Sequence, residues 1–220
     1  MKLTLFDLDN TLLPLDSDYA WGEFTVAQGW FDAEQFKRRN QIFYQQYVAG
    51  TLDVHEYVRF ATQGIREQGL VKAACAHAAF MQTVVQPAVR SQALELVRAH
   101  RGAGDELLIV TATNEFVTGP IAKLFDVELI AIELARDAQG AITGEIKGTP
   151  SFREGKVARV EQWLRQRGLG WADVHTTFYS DSVNDVPLLE KVNTPVATNP
   201  DARLRTLARE RGWRILELFA

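Results

Sequence analysis

The sequence opens on Leu3-Thr4-Leu5-Phe6 and runs straight into Asp7-Leu8-Asp9-Asn10-Thr11. No other feature narrows the fold as much. A short apolar run that ends abruptly reads as a buried strand, and strands covered on both faces belong to mainly parallel sheets flanked by helices. The next comparable run, Leu107-Leu108-Ile109-Val110, comes about 100 residues later. One crossover helix does not fill that interval. A helical unit is therefore expected between the first strand and the second.

The intervening segment has its own composition. Between Tyr19 and Phe60 lie eleven aromatic residues, half of the chain's 12 Phe, 5 Trp and 5 Tyr. That is enough to build a separate small core. Phe36, Phe43, Tyr44 and Tyr47 recur at helical spacing, and Pro87 predicts the end of the helical stretch. Downstream, helices expected at 88–100, 115–125, 184–191 and 201–211 alternate with strands at 107–110, 127–132, 176–179, 194–197 and 213–216. Residues 133–148 read as a β-hairpin. Ser151-Phe152-Arg153-Glu154 has the form of a capping box opening a helix to about 167. The expected fold class is α/β, with a Rossmann-like, mainly parallel sheet core at 1–14 and 87–220 and a helical insertion at 15–86.

In open α/β sheets, ligands gather at the carboxyl ends of the strands. Strand one ends in Asp7 and Asp9, strand two in Thr111-Ala112, and the late strand in Ser180-Asp181-Ser182-Val183-Asn184-Asp185. Lys156 falls early in the 152–167 helix. Asp7 and Asp9, two apart on extended chain, lean to the same side. Paired carboxylates repel unless a cation or proton sits between them. Mg²⁺ suits hard oxygen ligands and is commonly shared with a substrate phosphate. Asp7, Asp9, Asp181 and Asp185 form the candidate metal set. Singly, Thr111 reads as a strand end, Lys156 as a solvated lysine and Asp185 as a helix cap.

Together these stretches resemble the four motifs of the haloacid dehalogenase superfamily. Asp7-Leu8-Asp9-Asn10-Thr11 is similar to the Asp-x-Asp-x-Thr signature, Thr111 to the second motif, Lys156 to the third and Ser180–Asp185 to the acidic fourth. The insertion between motifs one and two resembles the cap of the phosphoserine-phosphatase-like subgroup. The resemblance implies a Mg²⁺-dependent phosphomonoesterase acting on a small phosphorylated metabolite through an aspartyl-phosphate on Asp7. It makes Asp9 the general acid and base. It places Thr111, the Ala112 backbone and Lys156 on the phosphoryl oxygens. Asp9 is expected on Mg²⁺ through its backbone carbonyl, with Asp181 completing the site and Asp185 in support. On the substrate side the candidates are Asp16, Arg59 and Asn184. The arginine expected in this stretch of the cap falls on Ala61; Arg59 stands two residues early, a helical step that turns it to another face. Phosphoserine and histidinol phosphate both stay open as substrates.

The rest of the chain excludes more than it adds. With 24 Lys and Arg against 28 Asp and Glu, the formal charge of −4 offers no basic face for nucleic acid. The basic runs Lys37-Arg38-Arg39 and Arg203/Arg205/Arg209/Arg211 read as solvated helix faces. Cys75 is the sole cysteine, so no disulfide framework forms within the chain. No apolar run reaches membrane-span length, and aspartates appear too early for a signal peptide. A cytoplasmic location is the expectation. A phospho-accepting domain and a non-catalytic metal-binding module remain the alternative readings.

Overall fold

The computed structural model describes residues 1–219. Strand β1 (Lys2–Phe6) is followed by helices α1 (Ser17–Ala27), α2 (Ala33–Ala49), α3 (Val54–Ala61), α4 (Gln63–Gln68) and α5 (Leu70–Phe80). A π-helical turn (Met81–Val85) leads into the short α6 (Gln86–Ala88). Then come α7 (Ser91–Gly102), β2 (Glu106–Asn114), α8 (Glu115–Phe125), β3 (Glu128–Ile132), β4 (Leu134–Arg136), β5 (Ile142–Ile146) and α9 (Glu154–Gln166). The chain closes with β6 (His175–Ser180), α10 (Val186–Leu189), β7 (Thr194–Thr198), α11 (Ala202–Arg211) and β8 (Arg214–Leu216).

The main sheet has six strands in the order β3-β2-β1-β6-β7-β8, all paired in parallel. The order reverses at β1, whose neighbours β2 and β6 are distant in sequence. Phe6 is level with Ile109 and Tyr179, so Asp7 leaves the sheet beside the ends of both neighbours. That is the topological switch point, where α/β sheets bind ligands. Alternation along β1 sends Leu3 and Leu5 to one face, with Trp163, Leu164, Phe178 and Leu204. Phe6 goes to the other face, with Val97, Ile121 and the insertion's Trp21 and Phe80. A third cluster of Phe36, Phe43 and Phe60 gives the insertion a core of its own.

Several expected elements shift, for identifiable reasons. The helical path does not stop at Pro87. It runs to Ala88, because proline without its N–H is tolerated in the first turn of α6 after the ladder has widened into the π turn. Strand β2 continues past Thr111 to Asn114, with an irregularity in its pairing after Val110. The expected 184–191 helix is a 3₁₀ turn (Val183–Asp185) leading into α10. The Ser151 capping box does not form: α9 starts from Arg153, which has φ 53° and ψ −122° and makes no side-chain cap. Ser151 Oγ donates instead to the Thr111 carbonyl at 2.6 Å. Only glycine fits at position 155. A Cβ on Gly155 would stand 1.9 Å from the Pro150 carbonyl oxygen.

Candidate active site

Lys156, in the first turn of α9, is 2% exposed. Its Nζ lies 2.8 Å from Asp7 Oδ1 and 2.7 Å from Asp185 Oδ2. A buried ammonium needs such partners, and a lysine at a helix N-terminus also opposes the helix dipole. Burial pushes its pKa down, but Asp185 and Asp7 outweigh that and hold it above the ordinary lysine range. Asp185 also accepts from Ser180 Oγ at 2.7 Å. It therefore orients Lys156 and does not face the cavity. Burial raises Asp7 to about 7 against the pull of Lys156, with Asp185 adding to the rise.

Thr11 Oγ1 stands 3.3 Å from Asp7 Oδ2 and 3.4 Å from Asp181 Oδ1 and accepts from the Asp181 N–H at 3.1 Å. One hydroxyl thus gathers two carboxylates from different strand ends. Burial first, then Asp7 and Asp185, raise Asp181 well above the usual carboxylate range. Asp7 and Asp181 are two desolvated carboxylates of which only Asp7 touches an ammonium, a donor set that a hard divalent cation relieves, and Mg²⁺ commonly takes one or two protein carboxylates with waters and substrate phosphate. The residues present fit it.

Of the candidate metal residues, Asp9, expected to serve through its backbone carbonyl, and Asp185, expected in support, have their carboxylates engaged elsewhere. The Asp9 carboxylate is taken by the Ser17 N–H and by Thr113 Oγ1, both at 2.8 Å. The Asp185 carboxylate is held by Lys156 and Ser180. Among the described residues, no three His, Cys, Asp or Glu side chains converge as a metal cluster. Asp7 and Asp181 are the carboxylates left facing each other.

Above this floor opens a cavity of about 460 Å³. Asp7, Asp9, Asp16, Thr111, Ala112, Lys156 and Asp181, all singled out from the sequence, line it. Thr111 is fixed from both sides: Ser151 holds its carbonyl, and its Oγ1 accepts from the Thr113 N–H at 3.1 Å. The far wall belongs to the insertion. Asp16 caps α1, accepting from the N–H groups of Asp18 and Tyr19. Its carboxylate stays open to the cavity, so the capping reading and a ligand role hold together. Asp18 is buried, 3.4 Å from Asn114 Nδ2, and the Tyr57 hydroxyl faces it. Burial raises Asp9 and Asp18 to about 6 each, and the neighbouring Asp16 raises Asp9 further.

Arg59 and Asn184 are not brought into this cavity. Arg59 pairs on the surface with Glu145 of β5 at 3.4 Å, since its helix face turns toward the hairpin. Asn184 is buried and donates to the Tyr47 carbonyl at 3.2 Å. Sequence reasoning missed Thr113, Tyr57 and Arg203. Thr113 stands two residues beyond Thr111, a signal at hand once β2 is taken to continue. Arg203, grouped with solvated arginines, lines the mouth and donates to the Val48 carbonyl at 2.6 Å.

An α/β switch point that holds a buried Lys–Asp pair beneath an inserted helical layer defines a class of phosphate-handling hydrolases. The sequence profile of the haloacid dehalogenase-like hydrolases matches residues 4–190, and the chain belongs to that family. Within it, the chain groups with the phosphatases of the phosphoserine-phosphatase-like type. A histidinol-phosphatase from Neisseria meningitidis is 40% identical over 217 residues, 98% of each chain. A phosphoserine phosphatase from Mycobacterium tuberculosis is 32% identical over 96% of this chain and 68% of its own. Among solved structures, a protein of unknown function from Bordetella pertussis Tohama I superposes with TM-score 0.93 at 48% identity over 99% of both chains. A substrate-bound phosphoserine phosphatase shares the fold, with TM-score 0.69 at 16% identity over 98% of this chain and 92% of that one.

Proposed function

We propose that this chain is a Mg²⁺-dependent phosphomonoesterase whose substrate carries a cationic leaving group, with histidinol phosphate as the candidate. One observation carries the reading. The cavity is anchored on Asp7 and Lys156 at one end and walled by Asp16, Asp18 and aromatic rings at the other. Of its lining cations, Lys156 is paired with Asp7 and Asp185, and Arg203 bonds the neutral Val48 carbonyl. A leaving-group carboxylate, as in phosphoserine, would face the carboxylates of Asp16 and Asp18, with Arg203 as the lining cation that no carboxylate pairs. An amine or imidazolium meets two carboxylates in a lining that also includes the aromatic side chains of Tyr19 and Tyr57. The 40% identical histidinol-phosphatase supports the same choice.

In this reading residues 15–86 are the cap and the remainder is the catalytic core. Lys156 favours the ionised form of Asp7 against the effect of its burial and holds the carboxylate in place beyond β1. An Asp7 oxygen attacks phosphorus, and the bond from phosphorus to the leaving oxygen breaks. Asp9, raised toward neutrality, gives that oxygen its proton. Water then attacks the phosphorus of the aspartyl-phosphate. Asp9 takes the water's proton, and the Asp7–phosphorus bond breaks. Thr111, the Ala112 backbone and Lys156 hold the phosphoryl oxygens. Asp7 and Asp181, with the Asp9 backbone carbonyl, would hold Mg²⁺, and the ion would supply charge neutralisation at the phosphoryl group.

A panel of phosphomonoesters assayed with Mg²⁺ and with EDTA tests this. Histidinol phosphate should turn over with kcat/KM at least about tenfold above phosphoserine, and EDTA should abolish it. Preference for phosphoserine would sink the substrate assignment, and no turnover of any ester would sink the activity.

A further inference from the structure

The last carbonyls of a helix lack intrahelical donors and carry the negative end of its dipole. Helix α2 has no basic residue in its own last turn. Its C-terminal carbonyls are taken by three core side chains instead. Asn184 Nδ2 donates to Tyr47 O at 3.2 Å, Arg203 Nη1 to Val48 O at 2.6 Å, and Arg153 Nη1 to Gly50 O at 2.9 Å. The three donors come from separate core segments, and two of those segments carry the chemistry. Arg153 stands three residues before Lys156, and Asn184 is next to Asp185. Tyr47 adds a fourth tie, with its hydroxyl 3.0 Å from Ser182 Oγ, beside Asp181.

Arg153 reaches the insertion from a backbone conformation that L-residues rarely adopt, with φ 53° and ψ −122°. Such a conformation persists only where the surroundings over-determine it. The insertion makes a matching concession. Gly50 ends α2 at φ 73°, and a Cβ there would come 3.0 Å from Arg153 Nη2. The turn 151–156 therefore holds three things at once: Thr111 through Ser151, the end of α2 through Arg153, and Asp7 through Lys156. Tyr44, Tyr47 and Val48, at that end of α2, line the cavity.

We propose that Arg153, backed by Arg203 and Asn184, is a positioning residue. It seats the carbonyl end of α2 on the core, and so sets the Tyr44–Tyr47–Val48 wall against which the leaving group is read. The kinetic arm of the test rests on the phosphomonoesterase reading; the exchange arm does not. The variants are Arg153→Gln, Arg153→Lys as the conservative rescue, and Gly50→Ala as the counterpart from the other side of the contact. The substrates are histidinol phosphate, whose bulky leaving group is the one the wall is proposed to read, and acetyl phosphate, whose leaving group is far smaller.

For Arg153→Gln and Gly50→Ala, KM for histidinol phosphate should rise about tenfold, the scale of one charge-assisted hydrogen bond. Acetyl phosphate turnover should stay within about threefold, and Arg153→Lys should recover most of the loss. Amide hydrogen exchange at residues 46–51 should quicken about tenfold in both impaired variants. Parallel loss on both substrates would overturn the proposal, because it marks a general brace of the Lys156 turn. Unchanged exchange at 46–51 would overturn it as well. If the unaltered protein hydrolyses neither ester, the phosphatase reading has failed, and the exchange result alone decides. If Arg153→Gln does not fold, Gly50→Ala carries both measurements.

Discussion

The two ends of the cavity hold similar numbers of carboxylates and settle their charge differently. At the floor, Asp7 and Asp185 share the Lys156 ammonium, and Thr11 draws Asp181 beside Asp7. At the far wall, Asp16 and Asp18 meet backbone N–H groups, an amide and a phenol, and no cation. Burial raises carboxylates at both ends. The floor has a resident counter-ion that fixes geometry, as a reaction centre needs. The wall leaves its charge unsettled, which is what the proposed cationic leaving group would answer.

The sharpest way to break this contrast is at the floor. Asp7→Asn removes the attacking oxygen and should lower phosphatase turnover by about 10⁴-fold or more, with far-ultraviolet circular dichroism unchanged. Asp9→Asn leaves the attacking oxygen and removes the proton carrier. A loss of about 10²–10³-fold in kcat is expected, with phosphoenzyme accumulating in rapid-quench experiments.

At the wall the expected effects are smaller and selective. Asp18→Asn should raise KM for an amine-bearing phosphate about tenfold and leave an uncharged aryl phosphate within about twofold. The same variant tests the pH behaviour. Asp18 titrates at about 6 in the folded chain against an ordinary 3.8, so the folded state keeps the proton longer. Stability is then greatest below about pH 4, falls as pH rises toward 6 and stays lower above it. Melting of the metal-free protein should show that fall, and Asp18→Asn should remove a part of it on the order of 1–3 kcal/mol. Smallest of all, Arg59→Ala breaks an exposed pair with Glu145. It should change stability by less than about 1 kcal/mol and leave KM unaltered; a clear rise in KM would return Arg59 to the site.

Much of the core was legible because strand ends are written locally. An apolar run ending in Asp7, another passing Thr111 and a third ending near Asp181 needed only periodicity and the rule that ligands sit at strand ends. The β-hairpin and the helical insertion were legible for similar reasons. Partner choice was not. Ser151 had the spacing of a capping box, and its hydroxyl went to a β2 carbonyl more than a helix away in sequence. Arg203 looked like one of four solvated arginines. Arg205 pairs with Glu217 and Arg211 with Glu190, while Arg203 alone of these three meets the insertion.

The sequence by itself determined the parallel sheet, the placing of an aromatic-rich insertion after the first strand, and which acids and which lysine stand at the strand ends. Each follows from side-chain period, chain connectivity or neighbouring residues. Only the tertiary structure decided what each carboxylate does. Asp9 and Asp185 have the same side chain as Asp7 and Asp181. Yet Ser17 and Thr113 claim the first, and Lys156 and Ser180 the second. A carboxylate's role is set by the donors around it, and here those donors come from segments as far as 170 residues away in sequence.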